Sequence, residues 1–151
     1  MTPNNTVNDP SRTALIAQFK AFYSKGDNTN LEQLDRLYTQ DIEFRDPIHT
    51  VHGILGLKQY MRKLYANSAD IRFEYTEEHW GDHWASISWW MDYRHPKIAG
   101  GELVRVRGTT QIRFTDRIYF HEDFYDMGAL LYAHLPIIGP VIKFINRRVG
   151  A

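Results

Sequence analysis

Two short stretches of this chain group side chains able to move a proton. The first is Asp46-Pro47-Ile48-His49-Thr50-Val51-His52-Gly53, with one carboxylate and two imidazoles close together. The second is Tyr119-Phe120-His121-Glu122-Asp123-Phe124-Tyr125, near the end of an alternating segment. In a strand, Tyr119, His121, Asp123 and Tyr125 share one face. A carboxylate, an imidazole and a phenol on one face are the groups that general acid–base catalysis uses.

Asp46 has two readings. Ile42, Phe44 and Asp46 have one parity, Glu43 and Arg45 the other, so Asp46 points to the apolar side at the strand's end. Pro47 holds it extended and stops the ladder. Desolvation disfavours a charged carboxylate in an apolar cavity, raises its proton affinity and suits it to act as a general base. The other reading is that Asp46 caps a turn, as Asp-Pro often does. Asp123 and His121 divide in the same way, between an acid–base set with Asp46 and a hydrogen-bonded core edge. His49-x-x-His52 would need a third ligand, such as Asp46 or His121, to hold a metal. It lacks the helical spacing of zinc motifs, so neither a metal nor another cofactor is expected. His52 is assigned to the turn before the next helix, and His49 to the pocket mouth.

Composition narrows the classes. The chain has 151 residues, the size of one domain, with no internal repeat. Its 18 basic and 18 acidic residues balance, which argues against a nucleic-acid binder. It has no cysteine, which excludes disulfides and thiolate chemistry. Aromatic residues make up 14%, enough to line a cavity as well as fill a core. No basic and apolar signal segment opens the chain, so a cytoplasmic location is expected.

The elements that must position these groups follow from periodicity. Residues 1–8 read as a disordered tail. Asp9-Pro10 caps a helix carrying Leu15, Ile16, Phe19, Phe22 and Tyr23, and Gly26-Asp27 stops it. Asn30 and Gln33 resemble a capping box for a short helix with Leu31, Leu34, Leu37 and Tyr38. A third helix carries Ile54, Leu57, Tyr60, Met61 and Leu64 and ends near Asn67. Period-two segments follow: Ile71 to Tyr75, Ala85 to Tyr93, Val104 to Phe114 and Ile118 to Asp126. Helices followed by antiparallel strands give an α+β class. Trp89, Met91 and Tyr93 read as an apolar wall, with Met91 and Trp89 open to either core or cavity. Arg105, Arg107 and Arg113 fall on the opposite, solvated face.

This order, with Leu37-Tyr38-Thr39-Gln40-Asp41-Ile42-Glu43-Phe44-Arg45-Asp46-Pro47, His52-Gly53 and His121-Glu122-Asp123-Phe124-Tyr125-Asp126, resembles the SnoaL-like branch of the nuclear transport factor 2-like superfamily. Ketosteroid isomerase, limonene epoxide hydrolase and scytalone dehydratase share that fold. The resemblance covers about residues 10–127, within an expected domain of residues 9–127. It implies a cone: a strongly bent antiparallel sheet wrapped around the N-terminal helices, with a pocket inside. It places Asp46 where the isomerases keep their proton-moving carboxylate, and turns the face with Tyr119, His121, Asp123 and Tyr125 toward the cavity. It puts Phe19 and Thr110 where those enzymes keep the tyrosine and protonated aspartate of their oxyanion hole. Phe19 cannot donate a hydrogen bond, so steroid isomerisation by that mechanism is not expected. Phe19, Tyr23, His49, Tyr60, Trp89, Met91 and Thr110 are the expected ligand-lining residues, and a homodimer is the expected assembly.

Three functions remain open. One is an enzyme for a small, largely apolar molecule, of isomerase, hydrolase, dehydratase or cyclase type, using Asp46 with Asp123, Tyr125 or His121. The second is a non-catalytic binding protein with the same pocket. The third is a scaffold or membrane-surface dimer using residues 128–151. That extension reads as two short helices around Pro136 and Pro140. Val141, Ile142 and Ile145 lie on one side, with Lys143, Arg147 and Arg148 near the end. Docking on its own domain to close the cone is the competing reading.

Overall fold

The computed structural model describes residues 9–24, 30–67, 69–136 and 138–150. The expected tail and the Gly26-Asp27 stop lie outside the described residues. Asp9 caps α1 (Pro10–Ser24) as expected, its Oδ1 accepting from the Ser11 backbone N–H at 3.0 Å. Leu15, Ile16, Phe19, Phe22 and Tyr23 are all buried. Each contributes roughly 1.5–3 kcal/mol of apolar burial, which fixes the helix against the sheet.

A 3-10 turn, Leu31–Gln33, runs into α2 (Leu34–Leu37). The expected capping box does not form: the Asn30 side chain makes no cap bond, and its backbone carbonyl accepts from Gln33 N–H at 3.1 Å instead. Tyr38 leaves the helix and opens β1 (Tyr38–Arg45). A turn at 46–49 then leads to β2 (Thr50–His52), which pairs back on β1 with His52 opposite Glu43. His52 is therefore an exposed strand residue, and the turn into α3 (Ile54–Asn67) belongs to Gly53, whose φ of +78° suits glycine.

The remaining strands are β3 (Ala69–Trp80), β4 (Trp84–Arg94), β5 (Val104–Phe114) and β6 (Ile118–Tyr125). The sheet order is β2-β1-β6-β5-β4-β3. The chain is α+β, with N-terminal helices and an open, curled six-stranded sheet. The sheet is mixed, because β1 runs parallel to β6 and every other pair is antiparallel. A parallel pair of strands far apart in sequence leaves no mark on local periodicity.

Outside the sheet, Arg105 meets Glu74 at 2.6 Å and Asp92 at 3.1 Å, and its guanidinium lies over the Trp90 ring. After β6 come α4 (Met127–Leu130), a 3-10 turn at Tyr132–His134 and α5 (Ile138–Val149). The expectation that residues 140–150 dock on their own domain and close the cone is not met. Met127 and Leu130 line the cavity, whereas Ile138, Val141, Phe144, Ile145 and Val149 are exposed.

Candidate functional site

A cavity of about 400 Å³ lies between the inner face of the sheet, α1, α3 and α4. Its wall is mainly apolar and aromatic, including Phe19, Phe44, Phe73, Trp89 and Met91. Each candidate ligand or acid–base residue except Tyr119 reaches it: Asp46, Asp123, Tyr125, His121, Phe19, Tyr23, His49, Tyr60, Trp89, Met91 and Thr110. Met91 is only partly buried, so it serves the wall more than the core.

Tyr119 does not share the face of His121. Phe120 pairs with Arg113, while Ile118 pairs with Phe114. The register slips between them, so Tyr119 is extra at a β-bulge, and it is 41% exposed. The bulge lets both Ile118 and His121 point inward, against simple alternation.

Strand register assembles the rest. Thr110 on β5 lies directly opposite Asp123 on β6, and Gly108 opposite Tyr125. Trp89 on β4 faces Gly108. With no side chain at Gly108, the indole crosses it and donates from Nε1 to Thr110 Oγ1 at 2.9 Å. Thr110 Oγ1 donates in turn to Asp123 Oδ1 at 2.5 Å. The same oxygen lies 2.9 Å from His121 Nε2.

The chain of contacts continues inward. His121 Nδ1 lies 2.7 Å from the Tyr38 hydroxyl, which lies 2.7 Å from the Tyr23 hydroxyl. One placement of hydrogens satisfies every link: Tyr23 donates to Tyr38, Tyr38 to Nδ1, and Nε2–H to Asp123. Burial, the largest cause, holds both phenols well above their ordinary pKa, so they remain donors. His121 is enclosed by the rings of Phe44, Phe19, Tyr23 and Tyr38, with centroids 4.8–6.0 Å away. It is 1% exposed, so it orients Asp123 from behind and does not present itself to a ligand.

Asp46 realises both of its readings at once. Its Oδ1 accepts from the backbone N–H groups of Ile48 at 2.8 Å and His49 at 2.6 Å, which caps the β1–β2 turn. Its Oδ2 accepts from the Tyr60 hydroxyl. The side chain is 3% exposed and lines the cavity, yet these donors replace its water. Burial first, and then the bond to Asp46, keep Tyr60 protonated. His49, at the rim, is half exposed and 3.4 Å from Asp46. No group of three metal-ligating side chains occurs among the described residues.

Tyr125 lines the same cavity, within electrostatic reach of both carboxylates. Burial chiefly, then Asp46 and Asp123, raises its pKa and keeps the phenol protonated. No hydrogen bond within the described residues engages its hydroxyl. Likewise, both bonds to Asp123 fall on Oδ1 and leave Oδ2 without a partner among the described residues.

Tyr38 is the linking residue that sequence reasoning missed as a site residue. Its spacing from Leu31, Leu34 and Leu37 assigns it to the stripe of the preceding helix. Extending the β1 parity back from Phe44 and Ile42 to Tyr38 would have placed it on the inner face.

A model of the SnoaL-like domain matches residues 18–121, more than half of the chain. Comparison with curated proteins gives no match. Many solved structures share the fold. One, from Jannaschia sp. and provisionally described as a SnoaL-like polyketide cyclase, is 10% identical, with a TM-score of 0.73 over 85% of this chain and 94% of its own. A Catenulispora acidiphila protein with a ketosteroid isomerase-like fold, solved with trimethylamine, is 16% identical, with a TM-score of 0.67 over 78% of this chain and 90% of its own. A nuclear transport factor 2-like protein of unknown function from Exiguobacterium sp. is 19% identical, with a TM-score of 0.63 over 74% of this chain and 98% of its own. At these identities the likeness shows the fold alone, and the family rests on the sequence match. By that match, and by the inward-facing sheet that agrees with it, the chain belongs to the SnoaL-like domain family.

Proposed function

We propose that the protein is a proton-transfer enzyme for a small, largely apolar carbonyl compound. In this reading Asp123 Oδ2 removes a proton from the carbon next to the carbonyl. Tyr125 donates a hydrogen bond to the oxygen that gains charge. From a β,γ-unsaturated compound the dienolate takes the proton back from Asp123 at the γ carbon, an isomerisation; in a dicarbonyl compound the enolate attacks the second carbonyl and the alkoxide formed takes that proton, a cyclisation. The structural relative provisionally described as a polyketide cyclase supports the second outcome as one of the class. The observation that carries the reading is the Asp123 carboxylate, with one oxygen braced by His121 and Thr110 and the other left to an apolar cavity. Asp46 is the alternative base, and the weaker one, because both of its oxygens already accept from protein donors.

Solvent deuterium exchange into diketone and β-ketoester probes, followed by NMR, tests this. Asp123→Asn should slow exchange by about 10²–10⁴-fold, the usual share of a general base, while Asp46→Asn retains most of the rate. Exchange at the wild-type rate in Asp123→Asn would sink the assignment. Loss in Asp46→Asn alone would move the base to Asp46.

A non-catalytic binding protein is the second reading. It is favoured by the hydroxyls of Tyr23, Tyr38, Tyr60 and Thr110, all of which are already engaged by protein partners. Native mass spectrometry showing a co-purified apolar molecule, unchanged after long incubation, would support it.

A further inference from the structure

Helix α5 is amphipathic and almost wholly exposed. Ile138, Val141, Ile142, Ile145 and Val149 recur at three- and four-residue spacing and form one apolar stripe. All but Ile142 are exposed, by 49% to 81%, and Phe144 beside them by 52%. Lys143 and Arg147 fall on the opposite side, and the Arg148 guanidinium lies 5.3 Å over the Phe144 ring at the stripe's edge. From Met127 to Ala151 the sequence holds these three cations and no acid, although the whole chain is neutral. Among the described residues no helix is long and apolar enough to cross a membrane.

We propose that α5 is an interfacial helix that lies on an anionic lipid surface. An apolar stripe backed by lysine and arginine buries one side among acyl chains while its cations meet lipid phosphates and carboxylates. Charge decides against pairing with α5 of a second copy. A second α5 offers the stripe an apolar face but offers its three cations no carboxylate, whereas an anionic lipid surface offers both acyl chains and counter-charge. The placement also joins the lipid surface to the cavity. The 3-10 turn that leads to α5 follows on α4, whose Met127 and Leu130 line the cavity. A protein seated this way has its apolar cavity next to an apolar reservoir.

Full-length protein co-sedimented with phosphatidylcholine vesicles, with and without phosphatidylserine, tests the proposal. The wild type should pellet with the anionic vesicles, and added salt should release it. Each basic residue near such a surface is worth roughly a fivefold gain in partitioning, so Lys143→Glu/Arg147→Glu/Arg148→Glu should bind about a hundredfold less. These side chains are exposed, so the variant should fold, which circular dichroism checks. Equal partitioning of the two proteins, or no preference for phosphatidylserine, overturns the proposal. So does a vesicle-free dimer that Ile145→Glu splits, since a second copy would then own the stripe.

Discussion

His121 Nε2 lies 2.9 Å from Asp123 Oδ1, and the two side chains differ sharply in exposure, 1% for the imidazole and 21% for the carboxylate. The histidine is a brace inside the aromatic core, and the aspartate is the end of the brace that reaches the cavity. His121→Phe keeps the ring volume and removes both nitrogens. It leaves the buried Tyr38 hydroxyl without an acceptor, while the partly exposed Asp123 keeps its bond from Thr110. A buried polar group left unpaired costs about 1–3 kcal/mol, and urea denaturation should show a loss of that size. A change below about 0.5 kcal/mol would show that the network contributes little to stability.

Gly108 and Trp89 set the shape of the same wall. A Cβ at position 108 would lie 2.2 Å from Cη2 of the buried Trp89 ring, so the ring must give way, and the cavity that it lines is the space open to it. Gly108→Ala should therefore displace the indole and break its bond to Thr110. Overpacking of this kind costs about 1–3 kcal/mol, read by urea denaturation, with a change in tryptophan fluorescence of the folded protein. Unchanged fluorescence would mean that β4 and β5 shift apart instead.

Asp46 separates acceptor from charge. Asp46→Asn keeps an oxygen for the Ile48 and His49 N–H groups and should stay within about 1 kcal/mol of the wild type. Asp46→Ala removes every acceptor and strands the Tyr60 hydroxyl, at a cost of about 1–3 kcal/mol. Thermal melts of the two variants check this. Equal losses would show that the negative charge, not the turn cap, holds the site.

Alkaline pH should weaken the fold. Tyr23 and Tyr38 have folded-state pKa values raised by burial above the ordinary 10.0. The unfolded chain loses these protons near pH 10, while the folded chain keeps them. The stability they contribute is full below about pH 10 and falls as pH rises beyond it, by up to about 1.4 kcal/mol per pH unit for each phenol. Urea midpoints across this range should fall less steeply in Tyr38→Phe than in the wild type. The same slope in both proteins would show that Tyr38 ionises as readily folded as unfolded.

Local pattern alone determined a good deal. The Asp9 cap, the buried stripe of α1, the alternation of β4 and β5, and the parity of Asp46 with Ile42 and Phe44 are all properties of neighbouring residues. Each is governed by backbone period and short-range hydrogen bonding, so each was legible before any fold was known. What only the tertiary structure decided depends on pairing between distant segments. The parallel register of β1 on β6 sets Phe44 beside His121 and brings Tyr38 within reach of its Nδ1. The bulge at Tyr119 removes that residue from the face it should share by simple alternation. Register is set by how whole faces pack, and a slip of one residue exchanges the two faces of a strand. For the same reason the extension could not be divided from sequence: α4 finds a place at the cavity, and α5, equally apolar in pattern, leaves most of its stripe exposed.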